Sequence, residues 1–216
     1  MEQDLSLSPR KILWLWCLLF AATLAASAVA MLWLDQPLAR LFAANIRRLN
    51  VLGHGLSSSI LIAGEMVLMV GLAAVRIARG SLPKPGNALL LACCASLCAY
   101  AVNDCVLKIV FGRPSPDQYL FTSLPPVFHF LQGGQQSSFP SGHMVMASAF
   151  AIALARIYPR TLPAFMALLC LGAGLLVVGD WHFLSDAMAG FFVGGTAGFV
   201  AGELWIEHAP HYGKIE

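Results

Sequence analysis

Apolar residues run along this chain in long blocks rather than in alternation. Six blocks stand between short polar breaks, at about residues 12–34, 56–78, 87–111, 143–158, 163–179 and 184–206. A helix rises about 1.5 Å per residue, so about 20 apolar residues cross a bilayer core. The pattern predicts an all-α polytopic membrane protein, a six-transmembrane-helix bundle forming a single membrane-embedded domain over residues 1–216. The fourth and fifth blocks are short, and polar residues sit at their ends. Pro163 is acceptable at the start of the fifth, because a first-turn amide has no helical acceptor to lose. The first block follows Arg10 and Lys11 and contains Ala28-Val29-Ala30, which imitates a signal-cleavage site. Its apolar run continues through Met31, Leu32, Trp33 and Leu34. That exceeds the roughly 7–15-residue core of a secretion signal, so an uncleaved helix is expected.

Between the first two blocks, residues 35–55 mix Asp35, Arg40, Arg47 and Arg48 with Leu38, Leu41, Phe42 and Ile46. This reads either as an amphipathic helix in the membrane interface or as a plain connecting loop. Composition supports the membrane assignment. The chain is 58% hydrophobic and 11% charged, with mean hydropathy +0.74. Soluble domains carry about 25% charged residues. The net charge of +2 gives no basic stripe, which argues against nucleic acid as a partner. Cys17, Cys93, Cys94, Cys98, Cys105 and Cys170 all lie in apolar runs and read as small buried packing residues. An even number of spans puts both termini on one side. Arg10, Lys11, Arg76, Arg79, Lys84, Arg156, Arg160 and Lys214 share that side, and Arg40, Arg47, Arg48, Lys108 and Arg113 share the other. The positive-inside rule then makes the termini cytoplasmic and turns the loop over 112–142 outward.

The polar residues gather at one membrane depth, in three clusters at the outer ends of the third to sixth blocks. Such groups are costly there unless paired or functional. In the first cluster Lys108 and Arg113 are five residues apart where a helix ends, and Pro114 blocks its continuation. The pair suits a phosphate clamp, a planar fork beside a point charge, and equally suits cations snorkelling to the interface. The second cluster is Ser138-Phe139-Pro140-Ser141-Gly142-His143, ahead of an apolar run. Ser141 is an N-cap candidate, Gly142 admits close approach, and the helix start favours an anion. His143 in the first turn is then a candidate acid. An ordinary helix start with an interfacial histidine fits the same residues. In the third cluster His182 and Asp186 are four apart and share a helix face. The carboxylate fixes one ring nitrogen and leaves the other as nucleophile or base. A polar pair capping the sixth block is the plainer reading. Together the clusters supply a cation clamp, an anion-binding helix start, an acid and an oriented imidazole, a set that suits phosphoryl transfer.

These residues resemble the type 2 phosphatidic acid phosphatase superfamily, which includes bacterial membrane lipid phosphatases and soluble vanadium haloperoxidases. The resemblance covers about residues 87–206, with the motifs within 104–186. Pro140-Ser141-Gly142-His143 matches the family's central motif fully, His182 and Asp186 match the core of the third, and Lys108 matches the start of the first. The resemblance implies catalysis by His182, His143 and Asp186. His182 attacks phosphorus, Asp186 orients it, and His143 protonates the departing group. It implies phosphate binding by Lys108, Arg113, Ser141 and the Gly142 amide, with no cofactor and no metal. It also implies a lipid phosphate or lipid pyrophosphate as substrate, such as phosphatidic acid, phosphatidylglycerol phosphate, polyprenyl pyrophosphate or lipid A phosphate, and a bacterial inner membrane as the setting.

Two departures stand out. The first motif of the family places its arginine before proline where this chain has Ser115-Pro116, and the arginine here comes early, at Arg113. The third motif begins Ser-Arg, where this chain has Leu175-Leu176. Arg47, Arg48 and His54 are candidate substitutes. Asp180 adds a negative charge near His182, either holding it protonated or facing water. Glu65 is read as lining the bundle interior, and Asp104, four residues before Lys108, as its ion-pair partner. Tyr119, Phe121, Phe128 and Phe130 are expected either at the interface or packed onto the bundle. Two further functional readings share these residues: a phosphotransferase with a lipid hydroxyl as acceptor, and a degenerate relative that binds lipid without turnover.

Overall fold

The computed structural model describes residues 9–46, 58–122, 124–134 and 137–208. Among these residues there are helices and connections but no strand. Helix α1 (Pro9–Val29) passes through a π-helical turn (Ala30–Leu34) into α2 (Asp35–Ile46), and α3 spans Ser58–Arg79. Helix α4 (Lys84–Val102) also runs through a π-turn (Asn103–Leu107) into the single turn α5 (Lys108–Phe111). The short α6 (Pro116–Thr122) lies in the long loop, followed by α7 (Gly142–Ile157), α8 (Leu162–Val178) and α9 (Leu184–His208).

Five stretches are long and apolar enough to cross a membrane: Arg10–Ala44, Ser59–Arg79, Lys84–Phe111, Pro159–Val178 and Leu184–His208. The protein is an all-α polytopic integral membrane protein. The predicted fourth span corresponds to the shorter α7, in which ten of 16 residues are buried. A helix enclosed by its neighbours need not match the bilayer with a long lipid-facing side.

The break expected after residue 34 is absent, because the helix continues to Ala44. Asp35 is not at an interface but 1% exposed inside the bundle. Residues 47–57, with Arg47, Arg48 and His54, lie outside the described residues.

Helix α7 is the hub, packing against α4, α8 and most extensively α9. The closeness of α7 and α9 has a direct cause. Gly190, Gly194, Gly198 and Gly202 form one stripe along α9. A Cβ at these positions would stand 2.5 Å from the Ser141 oxygen, 2.1 Å from that of Val145, 2.3 Å from that of Ala149 and 2.5 Å from Cβ of Arg156. Small residues every fourth position let two helical backbones meet, which is how helices associate where lipid replaces water. The pairing order also makes α7 and α9 parallel, with both N-termini at the same end. Helix α1 docks on α9 through the Trp16 indole, which donates to Thr196 Oγ1 at 3.1 Å, and through the Phe20 and Phe192 rings, 5.4 Å apart.

Trp14 (70%), Val67 (74%) and Ile77 (83%) are exposed, as is much of the outer surface of α1, α3 and α8. Water would penalise that surface, whereas acyl chains cover it at no cost. The same fact corrects the reading of the cysteines. Only Cys93 is buried, and the other five stand on outward faces, in lipid rather than in the core.

Candidate active site

The N-terminus of α7 is built as the sequence predicts. Ser141 adopts an extended conformation at the N-cap, and its hydroxyl accepts from the Met144 amide at 3.4 Å. Ser141 itself is fully buried, and its amide donates to the Asp186 carbonyl at 3.0 Å, tying the starts of α7 and α9 together. A Cβ on Gly142 would come within 2.9 Å of the Tyr100 ring, so only glycine lets α4 and α7 meet here.

That junction brings the two histidines side by side. His143 Nδ1 and His182 Nε2 are 3.4 Å apart, and the rings stand nearly edge to face at 5.6 Å between centroids. Trp181 flanks His143 at 5.4 Å. His182 stands in the bend just before α9 and not on the helix that the four-residue spacing predicts, and Asp186 in the first turn of α9 places its Oδ2 3.8 Å from His182 Nδ1. That separation is too long for a hydrogen bond. His182 Nδ1 is buried without a hydrogen-bond partner.

Lys108 is 8% exposed and pairs with Asp104 at 3.0 Å, the expected ion pair along one helix face. The π-turn before it swings this lysine to the site end of α4, and Asn103 Nδ2 donates to the Pro140 carbonyl at 3.3 Å, joining this helix end to the α7 entry. Gly112 closes the helix at φ +55°. A Cβ there would sit 2.2 Å from the His129 carbonyl, so the position demands glycine both for its left-handed backbone and for space.

Arg113 departs from the expected clamp. It is 2% exposed, and its fork points into the bundle. One terminal nitrogen donates to Asp186 Oδ1 at 2.6 Å and to Ser185 Oγ at 2.7 Å, and the other to Asp35 Oδ2 at 2.8 Å. The Phe183 ring lies 4.4 Å from the guanidinium carbon and the Phe128 ring 5.6 Å. A guanidinium is as complementary to a carboxylate as to a phosphate. Two buried carboxylates within reach therefore claim it.

The residues at the two departures serve structure. Ser115 Oγ accepts from the Gln118 amide at 3.2 Å while the Gln118 side chain accepts from the Ser115 amide at 2.9 Å. This is a capping box that starts α6 with Pro116 in its first turn. Leu176 is buried in an apolar cluster with Met144 and Ala187, and Leu175 is 52% exposed on the outer face. In the long loop Phe128 packs with Phe111, Phe130 and Phe139, and Tyr119 lies 6.3 Å from the Phe183 ring. Those contacts fasten the loop to the bundle, while Phe121 is 56% exposed. Glu65 is half-buried on α3 with its Oε2 enclosed, so it faces into the bundle.

Asp180 follows α8 in a left-handed turn at φ +56°. Burial, and then the charge of Asp117, push its carboxyl up to about 6. Among the described residues no group of three or more His, Cys, Asp or Glu is arranged to hold a metal ion. Sequence reasoning missed Asp35 and Ser185 as members of this cluster. The available signal was one acid at the end of a long apolar run, where an unpaired charge is costly.

A Lipid A 1-phosphatase of Rhizobium etli is 36% identical over 91 residues, 42% of this chain and 39% of that protein. A Lipid A 1-phosphatase of Rhizobium johnstonii is 36% identical over 90 residues, 41% of this chain and 36% of that protein. The similarity thus spans well under half the length of these relatives, and no solved structure matches the chain. The family model described as the PAP2 superfamily matches residues 87–205, just over half of the chain, and encloses Lys108, the Pro140–His143 motif, His182 and Asp186. With these residues converging at one end of the bundle, the chain belongs to the PAP2 superfamily.

Proposed function

We propose that this protein is an integral membrane lipid phosphatase that hydrolyses a phosphomonoester or pyrophosphate of a lipid through a phosphohistidine on His182. The observation that carries this reading is the pairing of His143 and His182, with nitrogens 3.4 Å apart and Asp186 3.8 Å behind His182. The Nε2 lone pair of His182 attacks phosphorus, the bond to the lipid oxygen breaks, and His143 donates a proton to that oxygen. Water then attacks the phosphohistidine. The N–P bond breaks, the ring regains its electron pair, and His143 takes the proton from water. Asp186 balances the positive charge that His182 carries in the intermediate. Reacting atoms stand about 3–3.5 Å apart before transfer, so the imidazoles must part to admit a phosphoryl group. His143 is the less buried of the two and is assigned that movement.

Lys108, the Ser141 hydroxyl and the Gly142 amide at the head of α7 are assigned to the phosphate oxygens. Arg113 serves through Asp186 in this arrangement. The names of the Rhizobium relatives favour the 1-phosphate of lipid A among the candidate substrates. Water is assigned as the acceptor, and the loop over 112–142 is placed on the periplasmic side of a bacterial inner membrane.

The test is phosphate release by purified protein from phosphatidic acid, phosphatidylglycerol phosphate, polyprenyl pyrophosphate and lipid A, each with excess EDTA. Activity on at least one lipid is expected to survive the chelator and to fall by about a thousandfold or more in His182→Ala. Full activity in that variant would remove the mechanism.

A further inference from the structure

The first helix delivers a carboxylate into the catalytic end of the bundle. Asp35 is 1% exposed, directly after the π-turn over Ala30–Leu34. A π-turn accommodates an extra residue, re-aims the side chains that follow, and recurs at functional sites. Asp35 Oδ1 accepts from the Ser185 amide at 3.1 Å, Oδ2 accepts from the Ser185 hydroxyl, and Oδ2 also accepts from Arg113 at 2.8 Å. It therefore caps the N-terminus of α9 from another helix, where an anion suits the free amides and the helix dipole. Arg113 is shared between Asp35 on one side and Asp186 on the other.

A buried ionic triad is poor evidence for stability, because removing three groups from water offsets most of their attraction. Its geometry does have a consequence for the site. Asp186 is fixed at both ends: its side chain through Arg113 on Oδ1 and the Phe183 amide, which donates to Oδ2 at 3.0 Å, and its backbone through the capped first turn of α9 and the Ser141 amide, 3.0 Å from its carbonyl. If Asp35 lost its charge, Arg113 would have Asp186 as its remaining carboxylate partner in this cluster and would pull on Oδ1 against the Phe183 amide that holds Oδ2 beside His182.

We propose that Asp35 is a positioning residue for the phosphoryl-transfer centre, holding Asp186 against His182 by sharing Arg113 and capping α9. This rests on the assignment of His182 as nucleophile. It places part of the catalytic support on α2, outside the segment 87–205 that matches the family.

The test uses the full-length protein in detergent with two readouts. In Asp35→Asn, which keeps shape and an acceptor for Ser185, kcat is expected to fall about ten- to a hundredfold, the effect of one charge-assisted hydrogen bond. KM should stay within about twofold, since the lost interaction touches the nucleophile and not the bound phosphate. The second readout needs no substrate: the rate at which diethyl pyrocarbonate carbethoxylates His182, followed by peptide mass spectrometry with His129 as internal reference. That rate should fall severalfold in Asp35→Asn. Unchanged kcat, or a raised KM with kcat kept, would overturn the proposal wherever the wild type is active. If the wild type hydrolyses none of the lipids, the phosphatase reading fails, and the carbethoxylation rate alone decides the Asp35 linkage. Should Asp35→Asn not fold, Ser185→Ala leaves every charge in place and severs one arm of the cap. A smaller loss in the same two quantities supports the proposal, and none overturns it.

Discussion

Asp180 carries the clearest electrostatic consequence at the residue scale. Its carboxyl is pushed up to about 6 by burial and by Asp117, so it is mainly neutral below that value and ionised above. Two residues from His182, its negative charge opposes an anionic headgroup. KM for a lipid phosphate should therefore fall as pH drops through about 6. Asp180→Asn should lower KM at neutral pH by about fivefold, as expected for removing about 1 kcal/mol of solvent-screened repulsion, and should flatten that part of the profile. Initial rates across pH for both proteins check this, and superimposable KM profiles would contradict it. Residue identities at the site were largely legible in the sequence. Ser141 caps α7 as its position predicts, whereas His182 stands in the bend before α9 and not on one helix with Asp186. Arg113 was not legible, because the chemistry of a guanidinium does not say which anion will claim it. The carboxylates that do so come from residues 35 and 186, far away along the chain.

At the level of elements, the glycine stripe of α9 sets the distance between the two helices that carry the histidine motifs. Gly194→Ala would push a methyl to 2.1 Å from the Val145 oxygen, and overpacking of this kind costs about 1–3 kcal/mol. Its neighbour Gly195 meets nothing nearer than 4.0 Å, so Gly195→Ala should be nearly neutral. Thermal unfolding in detergent should separate the two variants, with only Gly194→Ala showing a lowered midpoint. Equal midpoints would mean that the stripe does not control the pairing. The π-turns form a second recurring device. One precedes Asp35 and the other Lys108, and each delivers a polar side chain to the site end of an otherwise apolar helix. Hydrophobic blocks reveal neither turn, since one extra residue leaves a long apolar run looking unchanged.

The whole molecule is an apolar bundle with its polar chemistry at one end. If that end faces outward, a cysteine introduced by Asp117→Cys in a cysteine-free background should react with a membrane-impermeant maleimide in cells whose outer membrane is permeable. Arg160→Cys, in the connection at the other end of α7, should react only after the inner membrane is opened. The reverse labelling pattern would invert the proposed topology. Both positions are solvent-exposed, so accessibility depends on the side of the membrane and not on burial.

The sequence alone determined that this chain lives in a bilayer as helices. Blocks of about 20 apolar residues have no other way to satisfy their backbone polar groups there. It also determined where α7 begins, at the Ser141 cap, because capping is a local property. Only the tertiary structure decided that α1 continues past residue 34, that Asp35 enters the site, and that Arg113 turns to two carboxylates. Those outcomes depend on which helices become neighbours, and that is set by the close fit of α7 and α9 along a line of glycines.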